Sequence, residues 1–203
     1  MGAWKICALG EGVDRESQCG AGRIGRRAAL ELALYVALAP RFAVAQTDLA
    51  HERPQEGDLL VAVGSTAPEP LKPDDLALGG KQTLAWPMDP ASHNVRDGSR
   101  LNKVLLLRLG PGGLDSATGE RAAEGVVAYS AICPHTGCEV VNWFPDQQLL
   151  ECPCHYSHFD PKAGAKVVSG PAPHGLAALP LKSADGQLVV AKPFVGRVGI
   201  QQT

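Results

Sequence analysis

The stretch Leu179-Pro180-Leu181-Lys182-Ser183-Ala184-Asp185-Gly186-Gln187-Leu188-Val189-Val190-Ala191 decides the fold class. Two short apolar runs flank Asp185-Gly186, a pair that suits the two-residue turn of an antiparallel hairpin. Working back along the chain, runs of the same length recur between turn residues: Thr83–Trp86, Val104–Leu109, Val126–Ile132, Gln147–Leu150 and Lys166–Val168, with Phe194–Val198 beyond the hairpin. These are strand lengths, not helix lengths. Pro145-Asp146 ahead of Gln147 is a second, weaker hairpin signal. The segment from Gly110 to Gly125 breaks the pattern and reads as an insertion carrying a helical turn between two strands. An all-β antiparallel domain is predicted.

Composition agrees. The 203 residues include 23 glycines and 16 prolines with only 5% aromatics, which favours turns and short strands over a helical bundle. At 45% hydrophobic and 20% charged the chain can bury a core, so disorder is excluded. The balance of 19 basic against 21 acidic residues leaves no electrostatic footprint for nucleic acid.

The N-terminal stretch has the order of an export signal. Arg26-Arg27 precedes the apolar run Ala28–Ala39, and Ala43-Val44-Ala45 offers small residues for cleavage. The paired arginines resemble a twin-arginine signal, which carries folded, cofactor-loaded proteins out of the cytoplasm. The run is about 12 residues, whereas a bilayer needs roughly 20, so residues 1–45 read as a signal, with membrane attachment following if the segment is retained. Residues 46–75 read as a polar, Pro-punctuated arm with one short apolar run at Leu59–Val63, and 76–203 as the folded domain.

The chemistry lies in two short loops, Cys133-Pro134-His135-Thr136-Gly137-Cys138 and Cys152-Pro153-Cys154-His155-Tyr156-Ser157-His158-Phe159-Asp160. Thiolates and imidazoles at such spacing could hold structural zinc. The pairing of Cys-x-His in one loop with Cys-x-x-His in the other, each loop having one further Cys, resembles the Rieske family of 2Fe-2S proteins. The resemblance covers about Leu101 to Val198. It implies a Rieske-type antiparallel β-sandwich with a small cluster-binding subdomain of two loops and a Pro-rich third loop. It assigns Cys133 and Cys152 to the buried iron and His135 and His155 to the outer iron. It also implies a disulfide between Cys138 and Cys154, at home in an oxidising compartment and therefore consistent with export to the periplasm.

Further positions follow from the same resemblance. Gly170-Pro171-Ala172-Pro173 matches the rigid third loop covering the cluster, where proline lacks a donor to leave unsatisfied. Ser157 matches a serine whose hydroxyl donates to a bridging sulfide, whereas Phe159 stands where many respiratory members carry a tyrosine that donates to a ligand sulfur. Tyr156 replaces the usual glycine after the ligand histidine and reads as a bulky surface residue, the alternative being that it shapes the docking tip. His158 and His174 read as solvated or capping residues, and His51 and His93 need no functional role.

No dinucleotide, phosphate-loop or Ser-His-Asp motif is recognisable, and no room is left for the second iron domain of a Rieske oxygenase. The chain therefore reads as a one-electron carrier, the small subunit or partner of a larger periplasmic or respiratory redox enzyme. That partner would be a molybdenum-containing or cytochrome b-type protein, and the acceptor a c-type cytochrome or similar protein. The competing readings are the Rieske subunit of a membrane-anchored quinol-oxidising cytochrome complex and a module with a purely structural metal.

Overall fold

Among the described residues, short β-branched and aliphatic runs separated by glycine and proline give ten strands and little helix. The computed structural model describes residues 49–200. A six-stranded antiparallel sheet contains β1 (Leu59–Ala62), β2 (Thr83–Met88), β3 (Val104–Arg108), β4 (Val126–Ser130), β9 (Leu181–Ala184) and β10 (Gln187–Val190), in the order β4-β3-β2-β1-β10-β9. A second, four-stranded sheet runs β5 (Asn142–Phe144), β6 (Leu149–Cys152), β7 (Ser157–Asp160), β8 (Lys166–Ser169) in sequence order. The large sheet curls on itself. Ser130 N–H donates to Ala177 O at 2.8 Å and Leu179 N–H to Ala128 O at 2.9 Å, which lays the approach to β9 along β4.

β3 explains how the two sheets share material. Its sequence Val-Leu-Leu-Leu does not alternate with polar residues because both of its faces are covered. Val104 and Leu106 point into a core with Leu60, Ala85, Val126, Ala128, Leu188 and Val190. Leu105 and Leu107 point the other way, into a core shared with Val127, Tyr129, Cys133, Leu150, Cys152 and Phe159. Each such aliphatic side chain contributes on the order of 1.5–3 kcal/mol on burial. Tyr129 adds a polar tie, its hydroxyl donating to Pro161 O at 2.7 Å.

The Asp185-Gly186 turn forms as read, with φ +51° and +72°, and joins β9 to β10 in the register Gln187↔Ala184. The helical turn of the insertion lies at Ser116–Gly119, capped by Asp115, whose carboxylate accepts from Thr118 N–H at 2.7 Å. The apolar run of the polar arm becomes β1, which sits between β2 and β10 in the middle of the sheet. Ahead of β1, buried Asp58 accepts from Arg96 Nε at 2.7 Å and Nη2 at 3.1 Å, while Glu52 accepts from Arg96 Nη1 at 2.7 Å.

Several boundaries differ from the sequence reading. Gln147 and Gln148 form the turn before β6, which runs two residues further, to Cys152. The run Phe194–Val198 forms no ladder: it contributes a single bridge, Val195 to Ala178, and Val195 is 47% exposed. β5 and β7 fall where no strand was predicted. The export signal expected at residues 1–45 lies outside the described residues.

Candidate metal centre

The first loop leaves β4 and is closed by two backbone bonds, Cys133 N–H to Cys138 O at 2.8 Å and Gly137 N–H to Cys133 O at 3.0 Å. The second loop is the tip of the β6–β7 hairpin, closed by Tyr156 N–H to Cys152 O at 2.9 Å. Three residue pairs meet across these loops. Cys138 and Cys154 form a disulfide, S–S 2.05 Å with Cα atoms 6.5 Å apart. The rings of His135 and His155 pack edge to face, centroids 4.5 Å apart at 85°. Cys133 and Cys152 remain free thiols, 0% and 1% exposed, in the core that also holds Leu150 and Phe159.

The sulfurs of Cys138, Cys152 and Cys154 lie within 4.8 Å of one another, but the disulfide removes two of them as ligands. It sits instead beside the Cys152 thiol. Burial pushes the Cys133 thiol up to about 11, and the neighbouring Cys152 adds to the rise. A thiolate in such a site needs a nearby cation, which a metal supplies. The His135 Nδ1 is buried and has no hydrogen-bond partner, as is also true of His174 Nε2; of the two, only His135 packs against a second imidazole within the loops that carry the buried thiols, where ligation would satisfy it. Two buried thiols, one orphaned imidazole nitrogen and a second imidazole against it fit a 2Fe-2S cluster with two cysteine and two histidine ligands.

The third loop closes on the second. Gly170 has φ +90°, and a Cβ there would lie 2.5 Å from Ser157 Cα and 2.8 Å from Tyr156 O, so any side chain would hold the loops apart. Beyond it, Ala172 N–H donates to Ser157 Oγ at 3.1 Å, leaving the serine hydrogen available to a further acceptor. Pro171 and Pro173 are exposed on either side of buried Ala172. Phe159 is fully buried, paired with Leu150 and Val167 across the sheet.

His158 does more than the solvated role read from the sequence. Its Nε2 lies 3.2 Å from Glu151 Oε2 and its Nδ1 3.0 Å from Ser169 Oγ, while Asn142 Nδ2 donates to Glu151 Oε1 at 2.9 Å. Asn142, Glu151, His158 and Ser169 thus form a polar row across all four strands of the small sheet. The row depends on register, which the sequence does not display. His174 Nδ1 meets Gly175 O at 2.8 Å, and His93 is exposed in a turn.

Such a site defines a small β-protein that grips an iron-sulfur cluster between two cysteine- and histidine-bearing loops. The Rieske [2Fe-2S] domain family matches residues 103–180. The cytochrome bc1 complex Rieske iron-sulfur subunit of Streptomyces lividans is 36% identical over 157 residues, covering 75% of this chain and 91% of that protein. The putative respiratory nitrate reductase subunit Rieske of Haloferax mediterranei is 42% identical over 86 residues, 42% of this chain and 38% of that protein. The chain also spans 44% of the corresponding Streptomyces coelicolor subunit. Among solved structures, the plasma membrane Rieske protein of Synechocystis PCC 6803 is 23% identical with a TM-score of 0.35, covering 53% of this chain and 84% of that one. The chain belongs to the Rieske [2Fe-2S] family. Its cofactor is a 2Fe-2S cluster and its chemistry is one-electron transfer.

Proposed function

We propose that Cys133 and Cys152 hold the inner iron and His135 and His155 the outer iron of one cluster. The chain then carries single electrons as the small subunit or partner of a larger periplasmic or respiratory oxidoreductase, delivering them to a c-type cytochrome or similar acceptor. The orphaned Nδ1 of His135, set against the His155 ring, is the observation that carries the ligand assignment. When bound, the cluster gains and loses one electron. The chain's own residues do the rest. The apolar core around Cys133 and Cys152 keeps water from the thiolates, and the disulfide restrains both loops. Exposed His155 brings the edge of the site to the surface.

The Cys138–Cys154 bond supports a periplasmic location, as does the signal-like order of residues 1–45. Among the described residues no helix is long and apolar enough to cross a membrane. The relatives named for a cytochrome bc1 complex and for a respiratory nitrate reductase support a larger redox partner. Electron paramagnetic resonance of His155→Ala tests the ligand set: the Rieske signal disappears, and a normal signal in that variant refutes the assignment.

A further inference from the structure

The two ligand loops are built on one plan. In each, the leading cysteine's carbonyl accepts the amide hydrogen four residues on, from Gly137 to Cys133 and from Tyr156 to Cys152. In each, that donor residue is left-handed, φ +78° at Gly137 and +58° at Tyr156. The first loop fills this point with glycine, which adopts the conformation without steric cost. The second fills it with a bulky aromatic residue, for which the conformation is unfavourable. No polar or ring contact of the Tyr156 side chain offsets this. Its side chain makes no hydrogen bond or ring contact among the described residues and is 67% exposed.

Its surroundings indicate what the ring is for. Cys133–Cys138, Cys152–Ser157 and Gly170–Pro173 contain no Asp, Glu, Lys or Arg. Thr136, Pro153, His155, Pro171 and Pro173 are exposed there together with Tyr156. A surface of prolines, an imidazole and a phenol complements an uncharged, apolar-walled surface on another protein; the exposed guanidinium of Arg100 borders the first loop, its Nη2 3.7 Å from where a Cβ on Gly137 would stand, while the loop that carries Tyr156 has no charged side chain of its own. A tyrosine ring supplies large contact area with few rotamers to freeze, which is why such residues dominate binding energy at protein interfaces.

Resting on the electron-carrier reading, we propose that Tyr156 is a specificity-determining contact residue. Its ring enters an uncharged recess on the protein that accepts the electron, and the strained turn is retained to place it there. In that encounter the carrier loses one electron and the ferric haem of the acceptor gains it.

The test uses the full, cluster-loaded chain, reduced with dithionite and mixed in a stopped-flow instrument with a soluble ferric c-type cytochrome. Tyr156→Gly relieves the strained position, so it melts at or above the wild-type temperature and keeps the wild-type midpoint potential. Its second-order rate constant with the cytochrome falls about tenfold, a loss typical of truncating an interface tyrosine. The ratio of variant to wild type stays the same at low and high salt, because the lost contact is apolar. Tyr156→Phe keeps most of the wild-type rate. If Tyr156→Gly does not retain its cluster, Tyr156→Asn replaces it, since asparagine tolerates the left-handed region. A glycine or asparagine variant that reacts as fast as wild type overturns the proposal, and so does a melting temperature below wild type, which would show that the ring supports the fold. A wild-type chain without a Rieske resonance signal would instead refute the cluster assignment on which the proposal rests.

Discussion

Ser157 and Ala172 fasten the second ligand loop to the third: the serine Oγ accepts the alanine N–H at 3.1 Å, with both residues buried. Ser157→Ala removes the acceptor and leaves a buried amide unpaired, at a cost of about 1–3 kcal/mol. The same change removes the hydroxyl hydrogen from the neighbourhood of the ligand cysteines. Donors to cluster sulfurs stabilise the reduced state, so film voltammetry shows the midpoint falling by tens of millivolts, where about 59 mV is a tenfold change in a one-electron equilibrium. An unchanged midpoint with lowered stability would leave Ser157 a purely structural tie.

Gly170→Ala meets backbone, not a flexible side chain, at 2.5 Å from Ser157 Cα, in a conformation with φ +90°. Neither the clash nor the torsion can relax without parting the loops. Calorimetry shows destabilisation of roughly 1–3 kcal/mol, and the visible absorbance of the cluster decays faster than in wild type. A variant as stable as wild type would mean that the two loops are not in contact in solution.

Removing the disulfide in Cys138→Ser/Cys154→Ser frees two loops separated by 16 residues. The chain-entropy model puts its contribution near 3 kcal/mol, which corresponds to a fall of about 6–12 °C in melting temperature for a domain of this size. The cluster is lost earlier in the transition than the strand signal in circular dichroism. Free thiols at both positions in protein prepared without reductant would remove the basis of this expectation.

Phe159 is 0% exposed and shares a core with Cys133 and Cys152. Phe159→Tyr introduces a hydroxyl that must find an acceptor or suffer desolvation. If it reaches a ligand sulfur, the midpoint rises by tens of millivolts, on the scale where about 59 mV is tenfold, and stability holds. A destabilised variant with an unmoved midpoint shows that the ring edge faces hydrocarbon.

How far the sequence reveals this molecule varies with the range of the interactions involved. The β9–β10 hairpin is legible because Asp185-Gly186 is a local turn signal, and the run at β3 is legible because both of its faces are buried. The pairing of Cys138 with Cys154 is legible through family resemblance, and the bond is present. β5 and β7 escape notice because Asn142-Trp143-Phe144 and Ser157-His158-Phe159-Asp160 are too short to display a period. Phe194–Val198 misleads in the opposite direction, since an apolar run becomes a strand only where an edge accepts it. The Arg96 pairs with Asp58 and Glu52 join residues 38 and 44 apart, and the Glu151–His158–Ser169 row depends on register. Neither has a local signature. The closeness of Gly170 to Ser157 is equally invisible, because it is a property of two loops meeting.

Cys133 and Cys152 sit in the same buried group as Leu105, Leu107, Val127 and Tyr129, residues that also hold the large sheet to the small one. The polarity around the two thiols therefore cannot be altered without disturbing the packing between the sheets, and over generations the two traits are inherited as one. The loop ends carrying Pro153, His155 and Tyr156 face outward and take no part in that core. Substitutions at exposed Pro153 and Tyr156 can thus change the surface a partner meets, while His155, as a proposed ligand, is held in place by the cluster and the redox character of the interior stays tied to the survival of the fold.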